Sequence, residues 1–222
     1  MRFVVYGAGA IGGVVGGLLA EHGSDVVFIA RGEHGAAIES AGLTIETPDD
    51  RIPVRTELVS HPSELAFDVD DVVLLAMKSQ DTLAAVDALA LAAPASIPVV
   101  CLQNGVENER FALRRFENVY GVCVMCPTGH LEPGVVQAFS WPTAGIVDLG
   151  RFPKGTDALA QTLAATFERS CFSSIARPDI MRWKYSKLLS NLGNALEAAC
   201  GPAGRSGRLA EILVAEGVAC LR

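Results

Sequence analysis

Glycines at fixed spacing carry the first chemical signal in this sequence. Gly7-Ala8-Gly9-Ala10-Ile11-Gly12 lies where the apolar run "RFVVYG" gives way to the helical pattern "AIGGVVGGLLAEHG". Gly7 permits a tight turn, Gly9 lets backbone approach a pyrophosphate, and Gly12 lets the helix pack against the strand. The helix start then supplies N–H donors and the positive end of its dipole. The arrangement is a dinucleotide-binding fingerprint because strand, loop and helix occur in the right order within one βαβ unit. The second strand, "VVFIA", ends at Arg31 with Gly32 next and Glu33 after it. An arginine at that point can meet a ribose 2′-phosphate with charge-assisted hydrogen bonds, which favours NADP over NAD.

Further polar residues follow other apolar strands, where ligands bind in open α/β sheets. Lys78 follows "VVLLAM", and Gln103-Asn104-Gly105 follows "VVCL". Lys78 can reach the phosphate edge of a nucleotide, and Asn104 the nicotinamide side or a substrate; capping and turn formation are the plainer alternative. In "RWKYSKLLSNLGNALEAAC", residues 182–200, Lys187, Asn191 and Asn194 interrupt an apolar helical pattern. At about 100° per residue they fall at about 0°, 40° and 340°, one narrow stripe. Such a stripe suits a solvated surface or the wall of a polar pocket, and the residues upstream favour the pocket.

Other chemistries find no support. His22, His34, His61 and His130 are dispersed, with no pair at metal-ligand spacing, so no metal is expected. Cys123 and Cys126 form a CxxC inside a strand-like run, where residues three apart point to opposite faces; they read as buried thiols. No serine has a nucleophile-elbow context.

The elements that must position these residues read as an α/β chain. Residues 2–7 and 24–32 are strands flanking a helix at 10–23, which implies a parallel sheet with a right-handed crossover. "LTIET" and "IPVRTEL" read as an inserted hairpin, 70–78 as a buried strand, and "DTLAAVDALALAA" as the helix that follows it. From Asn118 strands dominate, then comes the helix "TDALAQTLAATFERS", and after Pro178 the chain is helical nearly to its end. The reading is a Rossmann-like, doubly wound NADP-binding domain at 1–177, followed at 178–222 by the beginning of an all-α substrate or dimerisation domain.

The 222 residues are 50% hydrophobic and carry a net charge of −7. That composition supports a sizeable core and disfavours non-specific nucleic-acid binding, which needs basic surface. The N-terminal run lacks a compact leucine-rich centre. Residues 83–102 contain Asp87, Pro94 and Pro98, so neither segment reads as a signal or membrane span. A cytoplasmic protein is expected.

Taken together, "GAGAIGG", "ARG", "MKSQDT", "LQNGVENE" and "WKYSKLLSN" resemble the ketopantoate reductase (2-dehydropantoate 2-reductase) family, in order and over nearly the whole chain. The resemblance implies NADPH-dependent reduction of ketopantoate to (R)-pantoate, toward pantothenate and coenzyme A. It implies that Arg31 and Lys78 bind the 2′-phosphate end of the cofactor and that Asn104 lines the reaction centre. It further implies that Lys187 is the general acid and that Asn191 binds substrate. The family's second asparagine would fall at Ala195; Asn194 stands one residue earlier and is the expected substitute. The family also continues through further helices that carry a substrate-binding glutamate and serine, to which nothing here can be assigned. This chain is therefore expected to be a fragment or a shortened relative. Three readings stay open: a ketopantoate reductase, a paralogue acting on another 2-keto acid, and an NADP-binding protein without turnover. A homodimer is a further expectation, from the apolar faces of the last helical segment.

Overall fold

Along the chain run β1 (Arg2–Tyr6), α1 (Ala10–Glu21), β2 (Asp25–Ile29), α2 (Gly32–Ala41), β3 (Leu43–Glu46), β4 (Arg51–Val54), β5 (Glu57–Val59) and β6 (Asp71–Leu75). Then follow α3 (Ser79–Ala92), β7 (Pro98–Cys101), α4 (Asn108–Leu113), β8 (Asn118–Met125), β9 (Thr128–Gly129) and β10 (Val135–Ala138). The chain closes with β11 (Gly145–Arg151), α5 (Ala158–Arg169), β12 (Phe172–Ser173), α6 (Ile180–Asn191), α7 (Gly193–Cys200) and α8 (Arg208–Cys220). The computed structural model describes residues 1–221.

The continuous apolar runs become the strands of an eight-stranded sheet, ordered β12-β11-β8-β7-β6-β1-β2-β5. Its neighbours are parallel except β8 and β11. Such strands are apolar throughout because both faces are covered. Phe3 and Val5 of β1 enter a core shared with α1 and α5, while Val4 and Tyr6 enter one shared with α3 and α4. Each fully buried side chain of this size contributes about 1.5–3 kcal/mol. The chain leaves β1 toward β2 on one side and later returns to β6 on the other. The ends of β1 and β6 thus form the switch point where such sheets bind ligands.

A smaller four-stranded sheet, ordered β4-β3-β10-β9, covers the outer side of α1. The helix is sandwiched, and its glycines are the reason it fits. A Cβ on Gly16 would meet Phe28 at 2.7 Å, and one on Gly17 would meet Ile45 at 2.7 Å. A helix buried on both sides has no polar face, as residues 12–19 show.

Several elements differ from the sequence reading. The hairpin exists as β3 and β4, but "IPVRTEL" is divided: β4 pairs with β3, and β5 crosses to the main sheet beside β2. The strand "GVVQAFS" becomes β10 and joins the small sheet parallel to β3. Helices α2 and α4 carry too few buried residues to announce themselves by periodicity. The segment after Pro178 is interrupted at Leu192, which ends α6 and starts α7. Helix α6 buries Ile180, Met181 and Lys184, and packs against β8, whereas α7 and α8 bury no residue. Among the described residues, no helix is long and apolar enough to cross a membrane.

Candidate active site

The glycine loop has the geometry that its spacing implied. Gly7 adopts φ +104°, a left-handed value, with Met77 backbone 3.0 Å from where a Cβ would stand. A Cβ on Gly12 would lie 1.9 Å from the Gly7 carbonyl oxygen, so helix and loop touch at backbone distance. Gly9 faces open space, with nothing within 4 Å of an added Cβ. It is the N-cap of α1, no side chain caps that end, and no acidic residue occupies the first turn. The first N–H groups and the positive dipole end therefore remain available to an anion. Open space at Gly9 above an uncapped helix start fits a dinucleotide pyrophosphate.

Two cavities flank the loop and share Gly7, Gly9, Met77 and Asp81, so they form one cleft with two arms. One, of about 520 Å³, is lined by Tyr6, Arg31, His34 and His61. The other, of about 730 Å³, is lined by Ile11, Lys78, Asn104, Thr128 and His130. Both volumes lie in the range of small-molecule sites. Arg31 and Lys78 thus stand on different arms, Lys78 on the arm with Asn104.

His34 ties the loop to the small sheet. The Gly134 N–H donates to its Nδ1 at 2.9 Å, so Nε2 carries the proton and donates to the Ala8 carbonyl at 2.8 Å. Burial pushes its pKa down, assisted by His130, whose ring centroid is 4.1 Å away.

At the far end of the second arm, Lys187 Nζ donates to Asn104 Oδ1 at 2.5 Å and to the Val124 carbonyl. Burial lowers the Lys187 pKa, the Cys123 thiol opposes that shift, and the neighbouring Lys184 adds to it. Asn191, one turn on, lines the same small pocket with Gln103, Val124 and Leu188. Asn194 does not reach it. Asn194 stands in α7, where its Oδ1 accepts from Arg205 at 2.7 Å. The structure brings together Asn104, Lys187 and Asn191, and sets Asn194 apart.

The turn that presents Asn104 is held by residues to which the sequence reading gave no role. Gln103 donates through Nε2 to the Met77 carbonyl and to Thr82 Oγ1, both at 2.7 Å. Thr82 donates to Asn108 Oδ1, and Asn108 Nδ2 donates to the Asn104 carbonyl at 2.9 Å. Gly105, at φ +89°, lets the chain reverse there. Behind the turn lies a buried ion pair, Lys184 with Glu109. A signal for Lys184 existed: it falls at about 60° on the helical wheel, on the Lys187 face.

The cysteines of the CxxC stay unpaired. Cys123 is buried in β8, while Cys126, half-buried past the strand end, has its thiol pushed up to about 12 by burial. Cys200 and Cys220 are exposed.

This geometry has clear relatives. Residues 3–154 match the family described as Ketopantoate reductase PanE/ApbA. A 2-dehydropantoate 2-reductase of Pyrococcus horikoshii is 32% identical over 191 residues, covering 86% of this chain. This chain spans 61% of that relative's length. Among solved structures, a PanE/ApbA family ketopantoate reductase from Ralstonia eutropha JMP134 is 31% identical with TM-score 0.83, over 97% of this chain and 71% of that one. A D-mandelate dehydrogenase in complex with NADH is 25% identical with TM-score 0.74, over 90% of this chain and 62% of that one. With residues 3–154, more than half of its length, matched by that family, the chain belongs to the ketopantoate reductase PanE/ApbA family.

Proposed function

We propose that this chain binds a nicotinamide dinucleotide along the two-armed cleft and reduces the ketone of a 2-keto acid, with ketopantoate to (R)-pantoate as the first candidate reaction. The observation that carries the reading is the Lys187–Asn104 contact at 2.5 Å, at the end of a cleft that begins on the glycine loop. The bound dinucleotide supplies the hydride that reduces the carbonyl carbon. Lys187 then has two tasks: its charge stabilises the oxygen as negative charge develops there, and its proton neutralises it. A lysine pKa lowered by burial brings that proton closer to being transferable at neutral pH. Asn104 orients the ammonium, and Asn191 offers an amide to the substrate.

The glycine loop and the α1 N-terminus would hold the pyrophosphate. Arg31, exposed at the end of β2, is the group we assign to the 2′-phosphate, which makes NADPH the preferred cofactor. Lys78 would serve the stretch between the phosphates and the reaction centre. A homodimer remains part of the proposal through the exposed apolar residues of the last helix, Leu209, Ile212 and Val214.

The engagement of Asn194 by Arg205 favours keeping a second reading, reduction of a different 2-keto acid, because one expected pocket amide is turned away. Loss of reduced-nicotinamide absorbance, with NADPH and NADH in turn and ketopantoate beside a panel of 2-keto acids, separates the readings. Turnover fastest with NADPH and ketopantoate supports the first, and another acid turned over faster supports the second. Tight NADPH binding with no turnover on any acid would leave only a nucleotide-binding protein.

A further inference from the structure

Of the ion pairs among the described residues, only Lys184 with Glu109 has both side chains out of water, at 3% and 0% exposure. Lys184 Nζ donates to Glu109 Oε1 and to the Gln103 carbonyl at 3.1 Å, while Glu109 Oε2 has no partner. As glue between α6 and α4 this pair is a poor choice. Desolvating two ions offsets their attraction, and an apolar pair of equal volume would hold the helices as well. An apolar pair could not, however, bond the Gln103 carbonyl. That carbonyl belongs to the peptide joining Gln103 to Asn104, whose side chain meets Lys187.

Lys184 and Lys187 stand one turn apart on α6. One lysine holds the turn from behind, and the other meets its side chain from the front. On the far side of the turn, Met77, Thr82 and Asn108 fix the same two residues. The Lys184 bond is the strut that registers this assembly to α6.

We propose that Lys184 is a positioning residue: through the Gln103 carbonyl it sets the Gln103–Asn104 turn so that Asn104 Oδ1 meets Lys187 Nζ, with Glu109 as its buried counter-charge. The inference rests on the reading of Lys187 as proton donor, yet the geometry it asserts is observable without turnover. The titratable groups facing Lys187 are Cys123 from β8, Cys126 just past the end of that strand, and Lys184 from its own helix. Removing Lys184 therefore also removes a cation that disfavours the charged form of Lys187.

The test is a pair of variants, Lys184→Met/Glu109→Met and Glu109→Gln, each checked for cooperative melting, then read by crystal structure and steady-state kinetics. In the folded double variant the turn is expected to shift and Asn104 Oδ1 to leave Lys187. Its kcat should fall about tenfold or more with KM for NADPH unchanged, because small misplacements at a reacting centre cost rate, not cofactor affinity. The basic limb of its kcat–pH profile should move to higher pH. Glu109→Gln keeps the Gln103 bond, so its kcat should change less than about threefold. A folded double variant with Asn104 and Lys187 still in contact overturns the proposal, as does a Glu109→Gln loss equal to that of the double variant. If the double variant does not fold, Lys184→Met/Glu109→Gln, which likewise has no donor at 184 for the Gln103 carbonyl, decides by the same Asn104–Lys187 contact, and a contact unchanged there overturns the proposal too. Absence of turnover in the unsubstituted chain would sink the reductase reading alone, since the crystal structures still decide the positioning role.

Discussion

The two ends of the cleft are built by opposite means. At the glycine loop, the shape comes from side chains that are absent: Gly7 and Gly12 bring strand, loop and helix to backbone distance, and Gly9 leaves a space. At the Lys187 end, the shape comes from side chains that constrain one another. Gln103, Thr82, Asn108 and Lys184 each hold the turn that presents Asn104. The loop is local in sequence and fails by steric intrusion. The turn is assembled from four segments and fails by loss of a hydrogen bond.

That contrast can be broken in graded ways. Lys187→Ala should be the most severe for catalysis, with kcat reduced on the order of a thousandfold and the melting temperature nearly kept. Turnover largely surviving would remove the lysine from the chemistry. Gly12→Val should act through the fold instead. Its Cβ would stand 1.9 Å from the Gly7 oxygen. We expect about 3 kcal/mol of lost stability in urea unfolding. An unchanged midpoint would show that the close approach is not needed.

Arg31→Ala should be milder and selective: KM for NADPH about tenfold higher, KM for NADH unchanged. Equal effects on both cofactors would take Arg31 away from the 2′-phosphate. His34 gives the smallest effect. Its folded pKa is lowered from 6.5, so the unfolded chain takes up the proton first. Stability is whole above the ordinary value and is lost as pH falls through the lowered one. The melting temperature should drop over that window, and His34→Gln should flatten the decline. A variant with the same pH slope would show that His34 is not its source.

The same contrast explains what the sequence made legible. The glycine loop could be read because strand, turn and helix follow one another within a short stretch, and Lys187 and Asn191 because one helical turn joins them. Arg31's place beside the first arm of the cleft followed from its position after a strand end. The division of "IPVRTEL" between two sheets was hidden, since β5 gains its partner, β2, across a long stretch of chain. Asn194 was placed on the Lys187 stripe by helical spacing alone, and spacing gave no sign that Arg205, eleven residues on, would engage its side chain. Lys184 sat on the same face but gave no sign of its partner, because Glu109 lies 75 residues distant.

The central claim, that Lys187 is the proton donor in a nicotinamide-dependent ketone reduction, is tested most directly by the kcat–pH profile of the unsubstituted chain with NADPH and ketopantoate. A group acting as the acid works only while protonated, so activity should fall as pH rises through the Lys187 pKa. Burial places that fall below the ordinary lysine value of 10.5. A single basic limb below that value is the expected result. A profile that stays flat up to that value would contradict the account.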